Sequence, residues 1–135
     1  MNAAQKIAWF NLSVCALAVV LVLSLIPFLG KGAMGGWGVL GLLGLSVVLL
    51  RKKQGQVVSD ERDVSIQRKS VLIAYSAFWI LYILAAVLAP FVYGEKGNVP
   101  VFVVQQSAWI GFVFFYSVTS IATLIQYARG GSDGE

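Results

Sequence analysis

Side chains able to carry acid–base, ionic or metal chemistry are few in this chain. The sequence contains ten basic residues, one cysteine (Cys15), no histidine and six acidic residues, namely Asp60, Glu61, Asp63, Glu95, Asp133 and Glu135. Without histidine, the chain lacks the most common metal ligand and proton shuttle. A single cysteine cannot form an intrachain disulfide. We therefore expect no metal site and no haem or other bound cofactor.

A catalytic set cannot be assembled from these residues. Nucleophilic catalysis needs a serine or cysteine beside a base, and the acids all lie outside the apolar stretches. Asn11 and Ser13 are polar positions of the first apolar stretch, and neither can exchange a proton. The chain also lacks a phosphate-binding glycine loop with its lysine. The sequence therefore predicts a protein that is not an enzyme.

The densest charge cluster lies near the middle of the chain, where residues 59–70 read Ser-Asp-Glu-Arg-Asp-Val-Ser-Ile-Gln-Arg-Lys-Ser. Asp60 can cap a helix, and Glu61 and Asp63 would then lie in its first turn, which suits the positive end of the helix dipole. No helix breaker follows before Pro90. We predict one continuous helix from about Glu61 into the membrane, with its first two to three turns outside the hydrocarbon.

The elements that position this cluster are apolar. The chain is 59% hydrophobic and only 12% charged, with a mean hydropathy of +0.82, whereas soluble domains carry roughly 25% charged residues. Lipid is therefore the main solvent. We predict an all-α, integral membrane four-helix bundle in which residues 1–135 form one domain and 51–70 form a cytoplasmic loop and helix extension. The predicted spans are about 7–29, 36–50, 71–92 and 101–127.

Basic residues predict the orientation, because cytoplasmic segments of membrane proteins are enriched in lysine and arginine. One side collects Lys6, Arg51, Lys52, Lys53, Arg62, Arg68, Lys69 and Arg129. The other side has Lys31 and Lys96. We predict a multi-pass protein of a bacterial or archaeal cytoplasmic (inner) membrane, with both termini inside. The basic excess then serves lipid headgroups rather than direct nucleic-acid binding.

Two helix faces are predicted to pack against other helices. Gly35, Gly38, Gly41 and Gly44 repeat every three residues, and small residues let helix backbones approach closely in lipid. Tyr75, Trp79 and Tyr82 share one face of the third span at helical spacing. That aromatic stripe meets protein, lipid or a ligand.

Other polar and aromatic positions carry weaker expectations. Ser117, Ser120, Thr123 and Gln126 repeat every three residues and can bond across to a neighbouring helix. Trp9, Trp37 and Tyr127 lie near predicted span ends, where amphipathic rings favour the membrane interface.

The charged stretch carries a resemblance. Asp60-Glu61-Arg62-Asp63, then Ile66, then Lys69-Ser70 and Ile73-Ala74-Tyr75 resemble a signature of small multi-span bacterial and archaeal membrane proteins of unknown function. In such families this signature leads directly into a span. The resemblance implies the four-span architecture. It also suggests a partner, because genes for small helix-turn-helix regulators often lie beside those of these families.

Three functional hypotheses remain open. In the first, the chain is a non-enzymatic adaptor that holds a cytoplasmic regulatory protein at the membrane through Asp60, Glu61, Arg62, Asp63, Ile66 and Lys69. In the second, it is a structural or accessory subunit of a homo-oligomer or larger membrane complex. In the third, it is a small transporter or channel for a neutral solute, lined by Ser117, Ser120 and Thr123. The simplest interpretation of the motif itself is a helix cap and a membrane anchor.

Overall fold

The computed structural model describes residues 3–46, 61–94 and 97–129, and all regular structure within these ranges is helical. Its elements are α1 (Ala3–Leu29), a 3₁₀ helix (Gly30–Leu45), α2 (Glu61–Tyr93) and α3 (Val101–Arg129). Three helical stretches are long and apolar enough to cross a membrane, namely Ala3–Leu45, Glu61–Tyr93 and Val101–Arg129. The prediction of an all-helical membrane protein is confirmed at this level.

The first of these stretches is a hairpin. Gly30 has a φ of +52°, a conformation that glycine adopts without steric cost. Beyond it the 3₁₀ helix folds back on α1, so that a Cβ placed on Gly36 would lie 3.0 Å from Cγ2 of Val22. Fourteen residues of straight α-helix would separate these positions by about 21 Å. The chain therefore reverses direction around Gly30.

The returning arm is a 3₁₀ helix of 16 residues, where the sequence predicts an ordinary helix from about Gly36. A 3₁₀ helix has three residues per turn, so positions three apart lie in one straight row. Trp37, Leu40 and Leu43 form such a row and are buried together with residues of α1, namely Val14, Cys15, Ala18 and Val22. Trp37, Leu40 and Leu43 recur every three residues because all three pack on α1. The glycines that follow them, Gly38, Gly41 and Gly44, have the same period. Residues 47–50 of the predicted span lie outside the described residues.

Helix α3 packs against both α1 and α2. The buried side of α2 is formed by Ile66, Ser70 and Ala74, which recur every four residues and so make one stripe. Farther along, a Cβ placed on Gly111 of α3 would lie 3.0 Å from Cε2 of Phe78. A side chain on Gly111 would therefore require the ring of Phe78 to shift.

Trp37 joins the 3₁₀ helix to α3. Its indole Nε1 donates a hydrogen bond of 2.9 Å to Oε1 of Gln106. Its ring stacks on Trp109, with ring centroids 6.5 Å apart and an interplanar angle of 8°. Trp37 is 7% exposed, so its ring contacts other residues of the chain. Trp9, by contrast, is 52% exposed.

Both predicted packing faces point away from the other described helices. Gly35, Gly38, Gly41 and Gly44 are exposed, and no described atom lies within 4 Å of a Cβ placed on any of them. Tyr75, Trp79 and Tyr82 are also exposed. The ring centroid of Trp79 lies 6.1 Å from that of Tyr75 and 5.8 Å from that of Tyr82. Neither face serves as a contact between helices within residues 3–46, 61–94 and 97–129.

Candidate functional site

Four helix ends meet around a cavity at the charged end of the bundle. The beginnings of α1 and α2 and the ends of the 3₁₀ helix and α3 line a volume of about 360 Å³. Its apolar wall includes Ala4, Ile7 and Ile66. Its polar wall comprises Asn11, Ser46, Asp63, Gln67, Thr119, Ser120, Thr123 and Tyr127. The cavity therefore brings together residues from both halves of the sequence.

The charged motif is the first part of α2, a single helix of 33 residues that begins at Glu61. Asp63 points inward, and its Oδ1 accepts a hydrogen bond from the phenol of Tyr127 near the end of α3. Charge-assisted hydrogen bonds are stronger than neutral ones. This contact holds the helix extension against α3.

A second contact lies two turns farther along α2. Ser70 is fully buried; its hydroxyl donates to the carbonyl of Ile66 at 2.9 Å and accepts from Nε2 of Gln126 at 2.8 Å. Cross-helix hydrogen bonds in membranes contribute about 0.6 kcal/mol on average. Gln126 thus makes the cross-helix contact that the sequence predicts. Ser120 and Thr123 instead donate to carbonyls of α3 itself, both at 2.8 Å.

The motif has an inner and an outer side. Asp63 lies half-buried and Ile66 is only 8% exposed, so Ile66 is not part of the exposed partner-binding edge to which the sequence assigns it. The reason is geometric, because Asp63, Ile66 and Ser70 fall on one helix stripe that faces α3. Glu61, Arg62 and Lys69 are exposed. Asp60 lies outside the described residues.

A second cavity, of about 540 Å³, lies between α1, the 3₁₀ helix and α3 and is almost entirely apolar. Ser117 lines it, whereas Ser120 and Thr123 line the cavity at the charged end. The buried residues Val14, Cys15 and Ala18 belong to α1 and lie between its residues that line the first cavity and those that line the second. The hydroxyls that the sequence groups as one solute pathway are therefore divided between two cavities in the described part of the chain.

Metal coordination requires several suitable ligands close together. Within residues 3–46, 61–94 and 97–129, the side chains of histidine, cysteine, aspartate and glutamate form no group of three or more that could hold a metal ion. The polar wall of the charged-end cavity instead offers one carboxylate together with hydroxyl and amide groups.

Comparison with known protein families gives a match. Residues 4–130 match a family described as "Predicted membrane protein (DUF2178)". No curated protein and no solved structure matches the chain. The match covers nearly the whole sequence and agrees with the apolar composition and the membrane-length helices.

Proposed function

Because the chain belongs to the DUF2178 family of predicted membrane proteins, we propose that it is a non-enzymatic protein crossing a bacterial or archaeal cytoplasmic membrane four times. The hairpin supports the fourth crossing, since the 16 residues of the 3₁₀ helix extend about 32 Å at a rise of about 2 Å per residue. That length matches a hydrocarbon core of about 30 Å. Both termini then lie in the cytoplasm with the charged end of the bundle, in keeping with the positive-inside rule.

We further propose that the protein is an adaptor for a cytoplasmic protein. The observation that carries this proposal is the two-sided motif at the start of α2. Its inner side is fixed to α3 by Tyr127 and Gln126, so the outer side is presented on a helix with a defined orientation. We call Glu61, Arg62 and Lys69 the docking edge. Acidic and basic groups on a rigid helix give a partner both charge and geometry to recognise.

The resemblance of the motif supplies the first candidate partner, a small DNA-binding regulator held away from DNA. Arginine favours planar, bidentate contacts with carboxylates, so an acidic patch on such a partner would suit Arg62. In this proposal the membrane protein does not contact nucleic acid.

Photo-crosslinking in cells tests the docking edge. A photoreactive residue at Ser65, which is exposed and shares one helix stripe with Glu61 and Lys69, should form a discrete adduct with one cytoplasmic protein. The same probe at Ile66 should form far less of it, because that side chain is 8% exposed. Arg62→Glu should reduce the Ser65 adduct by about tenfold, as expected for loss of a close charge pair. Mass spectrometry identifies the adducts.

The matched positions make the crosslinking result decisive. Ser65 and Ile66 are adjacent in the sequence, but Ser65 is exposed with the docking edge and Ile66 is buried towards α3. If neither position gave a protein adduct while a probe at Tyr82 reacted with lipid as expected, the adaptor proposal would fail. The motif would then be a helix anchor only.

A second candidate function is favoured by a separate observation, the exposed row of Gly35, Gly38, Gly41 and Gly44 on the 3₁₀ helix. A straight row of glycines forms a flat strip on which another backbone can pack closely. In this alternative the protein is a subunit of a homo-oligomer or a larger membrane complex, with the aromatic stripe as a further contact surface.

The oligomer alternative predicts that Gly38→Leu and Gly41→Leu convert oligomers to monomers and leave the bundle folded. Each leucine would project into space that is open among the described residues of the single chain. Only contacts between chains should therefore be weakened. Native mass spectrometry in mild detergent measures the change. A wild-type protein that is monomeric at every lipid-to-protein ratio would exclude the homo-oligomer.

A further inference from the structure

The apolar cavity between α1, the 3₁₀ helix and α3 opens sideways, towards the membrane. Its floor includes Val22 and Trp37, which are buried. Its rim includes Leu23, Ile26 and Ile110, which are exposed. Because these rim residues are apolar and belong to helical stretches of membrane length, the opening faces the acyl chains of lipid rather than water.

An apolar chain suits this cavity better than water does. A buried water needs two to four polar partners, whereas the wall is almost entirely apolar. An empty cavity would forfeit dispersion contacts with the atoms that line it. An acyl chain needs no polar partner and restores those contacts. The volume of about 540 Å³ falls within the range of small-molecule sites.

A cation lies at one end of the cavity. Residues three apart in a 3₁₀ helix form one straight row, and Met34 and Trp37 of such a row line the cavity. Lys31 is the next member of this row towards Gly30, about 6 Å from Met34 along the helix axis. Lys31 is exposed and lies where the hairpin reverses, at the end of the bundle opposite the charged end. A ligand whose tail packs on Met34 and Trp37 can therefore place an anionic head beside Lys31.

We propose that this cavity binds one acyl chain of an anionic membrane phospholipid, with the phosphate of the lipid beside Lys31. The described residues that line the cavity include no charged side chain, so the wall selects an apolar chain and Lys31 selects the charge of the head. A phospholipid is favoured over a free fatty acid because the cavity opens sideways to the bilayer, where the second acyl chain can remain. The site is distinct from the docking edge, and its occupation does not depend on a protein partner.

Native mass spectrometry of the full chain in mild detergent tests the proposal, with phosphatidylglycerol and phosphatidylcholine of identical acyl chains as the probes. Phosphatidylglycerol carries a net negative charge, and phosphatidylcholine carries none. We expect the tightest site to prefer phosphatidylglycerol about fivefold, the effect of one basic residue near an anionic lipid. Lys31→Gln should remove this preference by weakening phosphatidylglycerol alone. Lys69→Gln is the matched control, because Lys69 is also exposed but lies on α2 at the charged end, and it should leave the preference unchanged.

A second pair of variants tests the position of the acyl chain. Ile110→Trp enlarges a side chain on the rim of the cavity, whereas Ile121→Trp makes the same change on α3 outside it. The two isoleucines are 54% and 46% exposed, so the two changes should affect the fold similarly. We expect Ile110→Trp to weaken both lipids about tenfold, as overpacking of an occupied site predicts, and Ile121→Trp to weaken neither.

Each pair of variants can overturn the proposal. Equal affinity of the wild type for the two lipids, or the same loss in Lys31→Gln and Lys69→Gln, would exclude a head site at Lys31. No loss in Ile110→Trp, or the same loss in Ile121→Trp, would exclude the cavity as the site of the acyl chain. Palmitate that bound as tightly as phosphatidylglycerol, with the same dependence on Lys31, would replace the phospholipid by a free fatty acid.

Thermal unfolding of every variant in the same detergent shows whether a loss reflects the site or the fold. Lys31→Gln changes an exposed side chain, so it keeps the test valid if Ile110→Trp is unstable.

Discussion

Trp37→Ala is expected to lower the free energy of unfolding by about 3 kcal/mol, in the range for removing a buried tryptophan. The substitution removes an indole that packs with residues of α1 in the apolar cluster. It also removes the donor to Gln106 and the ring stacked on Trp109. Nε2 of Gln106 is already buried without a partner among the described residues, and the loss would leave Oε1 unpaired as well.

Steric trapping in lipid bicelles measures this free energy directly. Trp9→Ala is the matched control, because Trp9 is also on the hairpin but is 52% exposed, and its loss should cost less than about 1 kcal/mol. Equal effects of the two substitutions would mean that Trp37 does not join the 3₁₀ helix to α3.

Gly36→Leu is expected to disrupt the hairpin, at a cost of about 2 kcal/mol or more for overpacking. A Cβ at this position would lie 3.0 Å from Cγ2 of Val22 and 3.6 Å from its Cα. The side-chain atom can shift, but the backbone of α1 can move only if the two arms separate. The remaining atoms of leucine increase the conflict.

Gly38→Leu, two residues away, provides the comparison, because no described atom lies within 4 Å of its Cβ position. A double electron–electron resonance distance between spin labels at Leu17 and Leu42, both exposed, reports separation of the arms. We expect the distance to lengthen or broaden for Gly36→Leu and to remain unchanged for Gly38→Leu. An unchanged distance in both variants would contradict the close contact of Gly36 with α1.

The sequence was informative where one segment determines its own structure. The charge order at Glu61 and Asp63 predicts a helix beginning there, and α2 begins at Glu61. Glycines every three residues suit a slowly rotating face of an α-helix and a straight row of a 3₁₀ helix equally well. The local pattern therefore could not distinguish the two, and packing on α1 decides the helix type.

The site was less predictable because it depends on contacts between distant segments. The motif reads as one charged surface, yet Asp63 and Ile66 turn inward because Tyr127 and Gln126 of α3 lie opposite them. The segment around Trp37 does not reveal that its partners are Gln106 and Trp109, which lie about 70 residues farther along the chain. Asn11 is one of a few polar residues in an apolar run, and its own segment does not reveal that it lines a cavity together with Ser120 and Thr123.

The 3₁₀ helix also limits how this segment can change in length. Its rows are the three faces of a triangular prism, and adding or removing one residue turns the following part by about 120°. A deletion just before Trp37 would bring Gly38, Gly41 and Gly44 onto α1 in place of Trp37, Leu40 and Leu43. Insertions or deletions of three residues would restore the apolar face and move the end of the segment by about 6 Å. We therefore expect length variation in this arm to be tolerated in steps of three residues.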